Sequence, residues 1–170
     1  SDLRDIRIKK LKYLVDLGIN PYPSQAKKDI SNKDFVDKFE KLGENIISLC
    51  GRIISTREHG ALIFWDIEDQ TGTVQIYIKE DEISKETSKE TQTIGFSDLG
   101  LVDNGDFVQI SGIPAKTQSG QISLKAKEIK LLTKTVRPLP NRKEGLKDKE
   151  TRFRRRYLDL LVNPNVKEMF

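Results

Sequence analysis

The sequence contains one cysteine, Cys50, and one histidine, His59, in 170 residues. A lone cysteine cannot close a disulfide within the chain, and with one histidine it cannot build a Cys/His zinc site. A reducing, cytosolic-type compartment is therefore expected. No apolar run approaches the roughly 18–20 residues that a membrane-spanning helix needs, and no signal-type segment opens the chain. A soluble, intracellular (cytoplasmic) protein with no membrane partner is expected. Also missing are G-x-x-x-x-G-K-[ST], G-x-G-x-x-G and H-E-x-x-H, so neither a phosphate cradle nor a zinc helix is written here. His59, beside Gly60, reads as a surface turn residue, and Cys50 as a small, partly buried strand residue rather than a nucleophile. No carboxylate pair has a spacing that assigns acid and base roles. Catalytic, cofactor-binding and metal-binding residues are thus all expected to be absent. The chain starts at Ser1 without a methionine and stops at Phe170 inside a helical pattern, which suggests a piece of a longer protein.

The charge that is present is uneven. Between Lys134 and Arg156 there are ten Lys or Arg against three acids, a local balance of +7, which leaves the remainder of a +4 chain at −3. A mildly acidic body carrying a basic extension is expected. Such an extension meets phosphates or pairs with an acidic neighbouring domain. The cluster Arg152-Phe153-Arg154-Arg155-Arg156, in helical register with Tyr157, Leu158, Leu160 and Leu161, fits a hinge helix better than a direct RNA contact.

Hydropathy changes period along the chain. Asp2 to Leu17 reads as a helix, with Asp2 as a capping residue, Leu3, Ile8, Leu11, Leu14 and Val15 on its apolar face and Gly18 as its stop. Pro21 and Pro23 forbid its continuation. A second helix is expected from Ser31 or Asn32 to Leu42, with Phe35, Val36, Phe39 and Leu42 turned inward. From Ile46 the period becomes two. Ile47, Leu49, Gly51 and Ile53, then Ile63, Trp65 and Ile67, then Val74, Ile76 and Ile78 mark the inner sides of three strands. Turns are expected at His59-Gly60 and at Asp69 to Gly72. The polar stretch from Lys79 to Thr93 is expected to be a surface excursion containing a helix. Two more strands follow, about Asp106 to Ile113 and Gln121 to Leu132.

Five strands with a helical excursion between the third and fourth is the chain order of a mainly β OB-fold Greek-key barrel, preceded by N-terminal helices and followed by a linker helix. A sandwich wants about seven strands, and a parallel α/β sheet wants a helix after each strand. The expected division is 1–45 for the helical segment packing on the barrel, 46–134 for the barrel, and 135–170 for the linker and the start of another domain. Alternation turns Leu62, Phe64 and Asp66 outward on the second strand, Thr73, Gln75 and Tyr77 on the third, and Gln121, Ser123 and Lys125 on the fifth. An exposed aromatic beside outward amides suits single-stranded nucleic acid: the ring stacks on a base and the amides read its edge. Equally, Phe64 could pack under the N-terminal helices. Arg57 joins the same face only if a bulge or bend turns it outward.

These residues resemble a family, the bacterial-type class II lysyl-tRNA synthetases. The resemblance rests on Arg7-Ile8-Lys9-Lys10-Leu11, Gly18-Ile19-Asn20-Pro21-Tyr22-Pro23, Gly51-Arg52-Ile53-Ile54, Arg57, Gly60, Phe64 and Gln75-Ile76-Tyr77. It extends to the join at Leu131-Leu132-Thr133-Lys134, Arg137-Pro138-Leu139-Pro140 and Arg156-Tyr157-Leu158-Asp159-Leu160. The barrel pattern alone is shared with the aspartyl and asparaginyl enzymes; the join and the Asn-Pro-Tyr-Pro segment point to lysine.

The resemblance implies the N-terminal anticodon-binding part of a lysine-tRNA ligase, with Arg57, Phe64, Gln75 and Gln121 as nucleic-acid-binding residues and the anticodon loop of tRNA(Lys) as partner. It further implies a homodimeric parent that uses ATP and magnesium in a catalytic domain beyond Phe170, and a fragment that holds no cofactor and is inactive alone. Where the family carries Glu, this chain has Gln121, which implies weaker discrimination of uracil from cytosine. Two alternatives compete: a free-standing OB module that binds single strands without a fixed sequence, disfavoured by the mildly acidic barrel, and an oligomerising domain.

Overall fold

The computed structural model describes residues 2–23 and 25–136. The expected linker helix, the basic cluster at 152–156 and the join motifs after Val136 lie outside the described residues.

Five strands form a closed barrel in the order β1-β2-β3-β5-β4. They are β1 (Ile47–His59), β2 (Leu62–Glu68), β3 (Thr73–Lys79), β4 (Phe107–Lys116) and β5 (Ile122–Thr133). All neighbours run antiparallel except β3 and β5, whose short parallel pairing joins Gln75, Ile76 and Tyr77 to Ser123, Leu124 and Lys125. The inner face follows the alternation of the sequence. Leu49, Ile53, Trp65, Ile67, Val74, Ile76, Ile78, Val108, Ile110, Leu124, Ala126 and Ile129 are buried in one core, each large apolar side chain contributing about 1.5–3 kcal/mol when removed from water. Ile63 and Ile122 fall short of full burial, and both pack against that core. At Gly112 the β4–β5 backbones approach so closely that a Cβ would lie 2.1 Å from the Lys125 carbonyl oxygen. A side chain there would push the barrel open beside its second register shift.

Helix α1 (Asp2–Asp16) ends as the sequence predicts. Gly18 takes φ +89°, and the Ile19 N–H donates to the Leu14 carbonyl at 3.0 Å, the left-handed stop that glycine favours. Its packing face differs from the expected one. The buried seam is Arg7, Lys10 and Leu14, while Val15 is 56% exposed. The two charges can be buried at helical spacing because acidic partners meet them. Arg7 Nε lies 3.9 Å and Lys10 Nζ 2.7 Å from Asp103, and Lys134 Nζ contacts both Asp103 and Asp106 at 2.5 and 2.7 Å. Burial alone would lower the Lys134 ammonium, but Asp103 and Asp106 hold it above its ordinary value, so it stays charged. Lys134, first in the basic stretch, therefore belongs to the buried charge cluster under α1 and not to a solvated tail.

The second helix forms with Ser31 as its N-cap, the hydroxyl accepting from the Asp34 N–H at 3.1 Å. It breaks at Lys38, giving α2 (Asn32–Asp37) and α3 (Phe39–Leu42). Phe35 is buried as expected, whereas Val36 is exposed, because a two-piece helix cannot keep all four apolar residues on one face. Asp69 staples α2 to the β2–β3 turn. Its carboxylate accepts from the backbone N–H groups of Asn32, Thr71 and Gly72 and lies 3.0 Å from Lys28 Nζ. Burial would raise this carboxyl, but the hydrogen bonds from Thr71, Asn32 and Lys28 hold it far below the usual range.

The stretch from Lys79 to Thr93 differs from the expected one: it holds no α-helix but a 3-10 turn at Glu80–Glu82 and a tight turn closed by the Ser88–Thr93 bridge. Its few apolar residues give a helix no face to bury. A second 3-10 turn, Phe96–Leu101, follows it and buries Phe96, Leu99 and Leu101.

Candidate nucleic-acid interface

Strand register arranges the outer face of β1, β2, β3 and β5 into rows. Ser55 pairs with Asp66, Asp66 with Gln75, and Gln75 with Ser123. In the next row Arg57 pairs with Phe64, Phe64 with Tyr77, and Tyr77 with Lys125. One row is polar throughout; the other carries an aromatic pair between two cations.

Arg57 reaches this face through a bulge. Up to Ile53 the odd-numbered residues of β1 point inward, but the register shifts between Ile53 and Ser55. Ile54 is the extra residue, and after it Ser55 and Arg57 point outward beside Asp66 and Phe64. The Arg57 guanidinium is then held in place: NH1 donates to Asp66 Oδ2 at 2.7 Å and to Ser55 Oγ at 3.0 Å, and NH2 donates to Gln75 Oε1 at 3.0 Å. Gln75 Nε2 donates in turn to Ser123 Oγ at 2.8 Å.

Phe64 does not pack under the helices. It is partly exposed, with Tyr77 against it at 5.5 Å between centroids and 62° between planes, and His59 at 6.4 Å and 79°. Helix α1 packs instead on the Phe96–Leu101 turn and α2 on β3. The side chains of Arg57, Phe64, Gln75 and Tyr77 line one open groove of about 680 Å³, with His59 and Leu62 on one side and the β4–β5 turn, from Ala115 to Ser119, on the other. The Phe64 ring thus opens on the groove, where a planar partner can reach it, while the T-shaped contacts with Tyr77 and His59 fix its tilt.

Three of the four expected residues, Arg57, Phe64 and Gln75, are brought together. Gln121 is not among them: it is exposed just before β5, outside the groove lining, with its backbone tied to Thr117. Tyr77, Asp66, Ser123 and Lys125 were already outward in the alternation, but nothing in a period-two pattern says which outward residues converge. Ser123 adds a twist. It points to the outer face yet is fully buried, because the Gln75 amide lies over it.

The charges are locally compensated. Asp66 answers Arg57, and Glu82 lies 2.9 Å from Lys125 and 2.8 Å from Lys127, which hold the Glu82 carboxyl down to about 2. Affinity for a bare phosphate chain is accordingly a poor fit to this surface, and ring stacking with edge-reading hydrogen bonds a good one. Beside the groove the Asp66 carboxylate accepts from Arg57 and Ser55, and among the described residues no group of three or more His, Cys, Asp or Glu side chains could hold an ion. Cys50 lies outside the groove; burial pushes its thiol up, and it donates to the Lys27 carbonyl at 3.2 Å. No helix among the described residues is long and apolar enough to cross a membrane.

Comparison with known proteins agrees with this geometry. The family model of the tRNA anticodon OB-fold nucleic acid binding domain matches residues 47–132, the five strands and their connections. Over its whole length the chain is similar to the lysine-tRNA ligase of Syntrophomonas wolfei subsp. wolfei, at 35% identity over 170 residues and 33% of that protein. The lysine-tRNA ligase of Thermotoga maritima is 35% identical over 176 residues, with 34% of it covered, and that of Trichormus variabilis is 37% identical, with 31% covered. The chain thus spans about a third of the length of the curated relatives it matches. A closed five-stranded barrel, a partly exposed ring lining a groove on its β1–β2–β3 face, and a family match across the entire barrel make this chain a member of the tRNA anticodon family of OB-fold nucleic acid binding domains.

Proposed function

We propose that the chain is the anticodon-reading part of a lysine-tRNA ligase. The observation that carries this is the convergence, in one groove, of a partly exposed Phe64 ring with the Arg57 guanidinium and the Gln75 carboxamide. A base of the tRNA(Lys) anticodon loop stacks on Phe64, for about 1–3 kcal/mol, while Gln75 and Arg57 meet its hydrogen-bonding edge. Gln121 contacts the loop from the rim. In this reading residues 1–45 brace the barrel, 46–134 form the reading domain, and 135–170 lead into the catalytic domain. ATP and magnesium act in that catalytic domain, in the cytoplasm and in a homodimeric parent, and residues 1–170 bind RNA without activating lysine.

The test is a titration of two anticodon stem-loops, one bearing UUU and one with the central U replaced by C, against the wild-type chain and Phe64→Ala at a single stated salt concentration. The UUU loop should bind more tightly, and Phe64→Ala should lose about 1–3 kcal/mol of that affinity. Equal binding of the two loops, with Phe64→Ala altering stability alone, would overturn the reading.

A further inference from the structure

The hydrogen bonds around Gln75 have a fixed direction. On one side its Oε1 accepts from Arg57 NH2 at 3.0 Å, and a guanidinium has donors only. On the other side its Nε2 donates to Ser123 Oγ at 2.8 Å. The Ser123 hydroxyl also lies 3.3 Å from the Gln121 carbonyl, which can take its hydrogen and leave the oxygen's lone pairs to Gln75. An amide turned over by 180° would set its NH2 against the Arg57 N–H groups, which cannot accept, so Arg57 sets the polarity of the amide and Ser123 holds its NH2 end in place. Asp66, 2.7 Å from Arg57 NH1, keeps the guanidinium from swinging away. Ser123 itself is fully buried, at the floor of the groove beneath the Gln75 amide.

We infer that Ser123 is a positioning residue for base discrimination, acting through the amide of Gln75; this rests on the reading of the groove as a base-reading site. After Arg57 and Ser123 are served, Gln75 retains one lone pair on Oε1 and one hydrogen on Nε2. Uracil and cytosine differ in which of their positions 3 and 4 donates and which accepts: N3–H with O4 in one, N3 with N4–H2 in the other. An amide of fixed polarity, facing a base whose place is set by the Phe64 ring, matches one of these arrangements and opposes the other. A floppy or reversible amide would match both. The parallel β3–β5 pairing is what places the Ser123 hydroxyl under that amide.

The experiment is a double-mutant cycle on the 170-residue chain, with Ser123→Ala, Gln75→Ala and the pair, each titrated with the UUU and UCU stem-loops at one salt. Ser123→Ala should narrow the ratio of UUU to UCU affinity by roughly three- to tenfold, the worth of one hydrogen bond. In the Gln75→Ala background the same substitution should leave the ratio where it was. Ser123→Cys, nearly equal in volume with a weak acceptor, takes the place of alanine in the cycle if the alanine variant does not fold. A ratio indifferent to both substitutions, or shifted equally with and without Gln75, overturns the inference. A wild-type chain that fails to prefer UUU, or a Phe64→Ala variant that binds as well as wild type, overturns the base-reading site and this inference with it. Preference in the wild type with no response at Ser123 overturns this inference alone.

Discussion

Two polar networks in this small protein are built from similar side chains to opposite ends. Under α1, Arg7, Lys10, Asp103, Asp106 and Lys134 are at most 2% exposed. In the groove, Arg57, Asp66 and Gln75 are only partly covered, and the side chain of Arg57 is 43% exposed. The buried network joins three distant pieces of chain: the N-terminal helix, the segment before β4 and the exit from β5. The groove network joins neighbours on one sheet face. A charge sealed from water must be matched by a partner or it destabilises the fold; a charge at a groove wall keeps water as a substitute partner and can trade it for a ligand. Burial, more than composition, separates a network that holds the protein together from one able to recognise something.

The contrast breaks most sharply at Asp103, which Lys10 and Lys134 share. Asp103→Ala should cost about 3–5 kcal/mol, because it takes from two buried ammonium groups the carboxylate that lies between them. Denaturant midpoints at neutral pH measure it. Against a typical total of about 5–15 kcal/mol, the variant would be close to unfolding. A loss below about 1 kcal/mol would mean that water reaches the cluster.

Asp69 should come next, since it is a surface turn residue that behaves like the buried network. Removing its carboxylate in Asp69→Ala takes away hydrogen bonds to the N–H groups of Asn32, Thr71 and Gly72, at a cost of about 2–3 kcal/mol. Its folded-state pKa lies below the ordinary value. The stabilisation is therefore complete above the unfolded carboxylate pKa of about 3.9 and fades as the pH falls further toward the folded value. Wild type should lose more stability than Asp69→Ala between about pH 5 and roughly pH 2. Urea midpoints across that range provide the check; parallel curves would show that Asp69 titrates normally.

In the groove the ordering reverses: binding, not stability, should respond. Asp66→Asn removes the charge that answers Arg57 while keeping an oxygen to accept from it. Stability should change by less than about 1 kcal/mol. Binding of the UUU loop should weaken by roughly two- to fivefold as the guanidinium loosens. A larger loss of stability than of affinity would place Asp66 with the structural network after all.

The difference between the networks also marks how far the sequence can be read. The alternation in β1, β2, β3 and β5 foretold the barrel core, Trp65 included, because each position is decided by one local preference for burial. The outward set, Phe64, Gln75, Tyr77 and Ser123, was legible for the same reason. The seam of α1 was not, since Arg7 and Lys10 look like solvent residues until Asp103, 93 positions from Lys10 in sequence, supplies a counter-charge. Arg57 depended on the bulge at Ile54, which changes the facing of everything after it without any glycine or proline to announce it. The stretch from Lys79 to Thr93 offers few apolar residues, so nothing local told a helix from the turns that form there. Long-range charge pairing and single-residue register shifts are the two things a local pattern cannot contain.

Gln121 offers the smallest effect and the finest test of where recognition ends. It is an exposed side chain at the edge of the β4–β5 turn and outside the groove lining. Its carboxamide can present either a donor or an acceptor, whereas a carboxylate at the same place could only accept. If the rim reaches the base read by Gln75, Gln121→Glu should favour the N3–H of uracil over the bare N3 of cytosine. The UUU to UCU affinity ratio should then widen by about two- to fivefold, at the low end of what one solvent-exposed hydrogen bond supplies. The same stem-loop titration measures it, and the charge change alone should weaken both loops equally and cancel in the ratio. An unchanged ratio would confine discrimination to the row from Ser55 to Ser123, where the amide is already held in one orientation, and would leave the rim with the anticodon backbone.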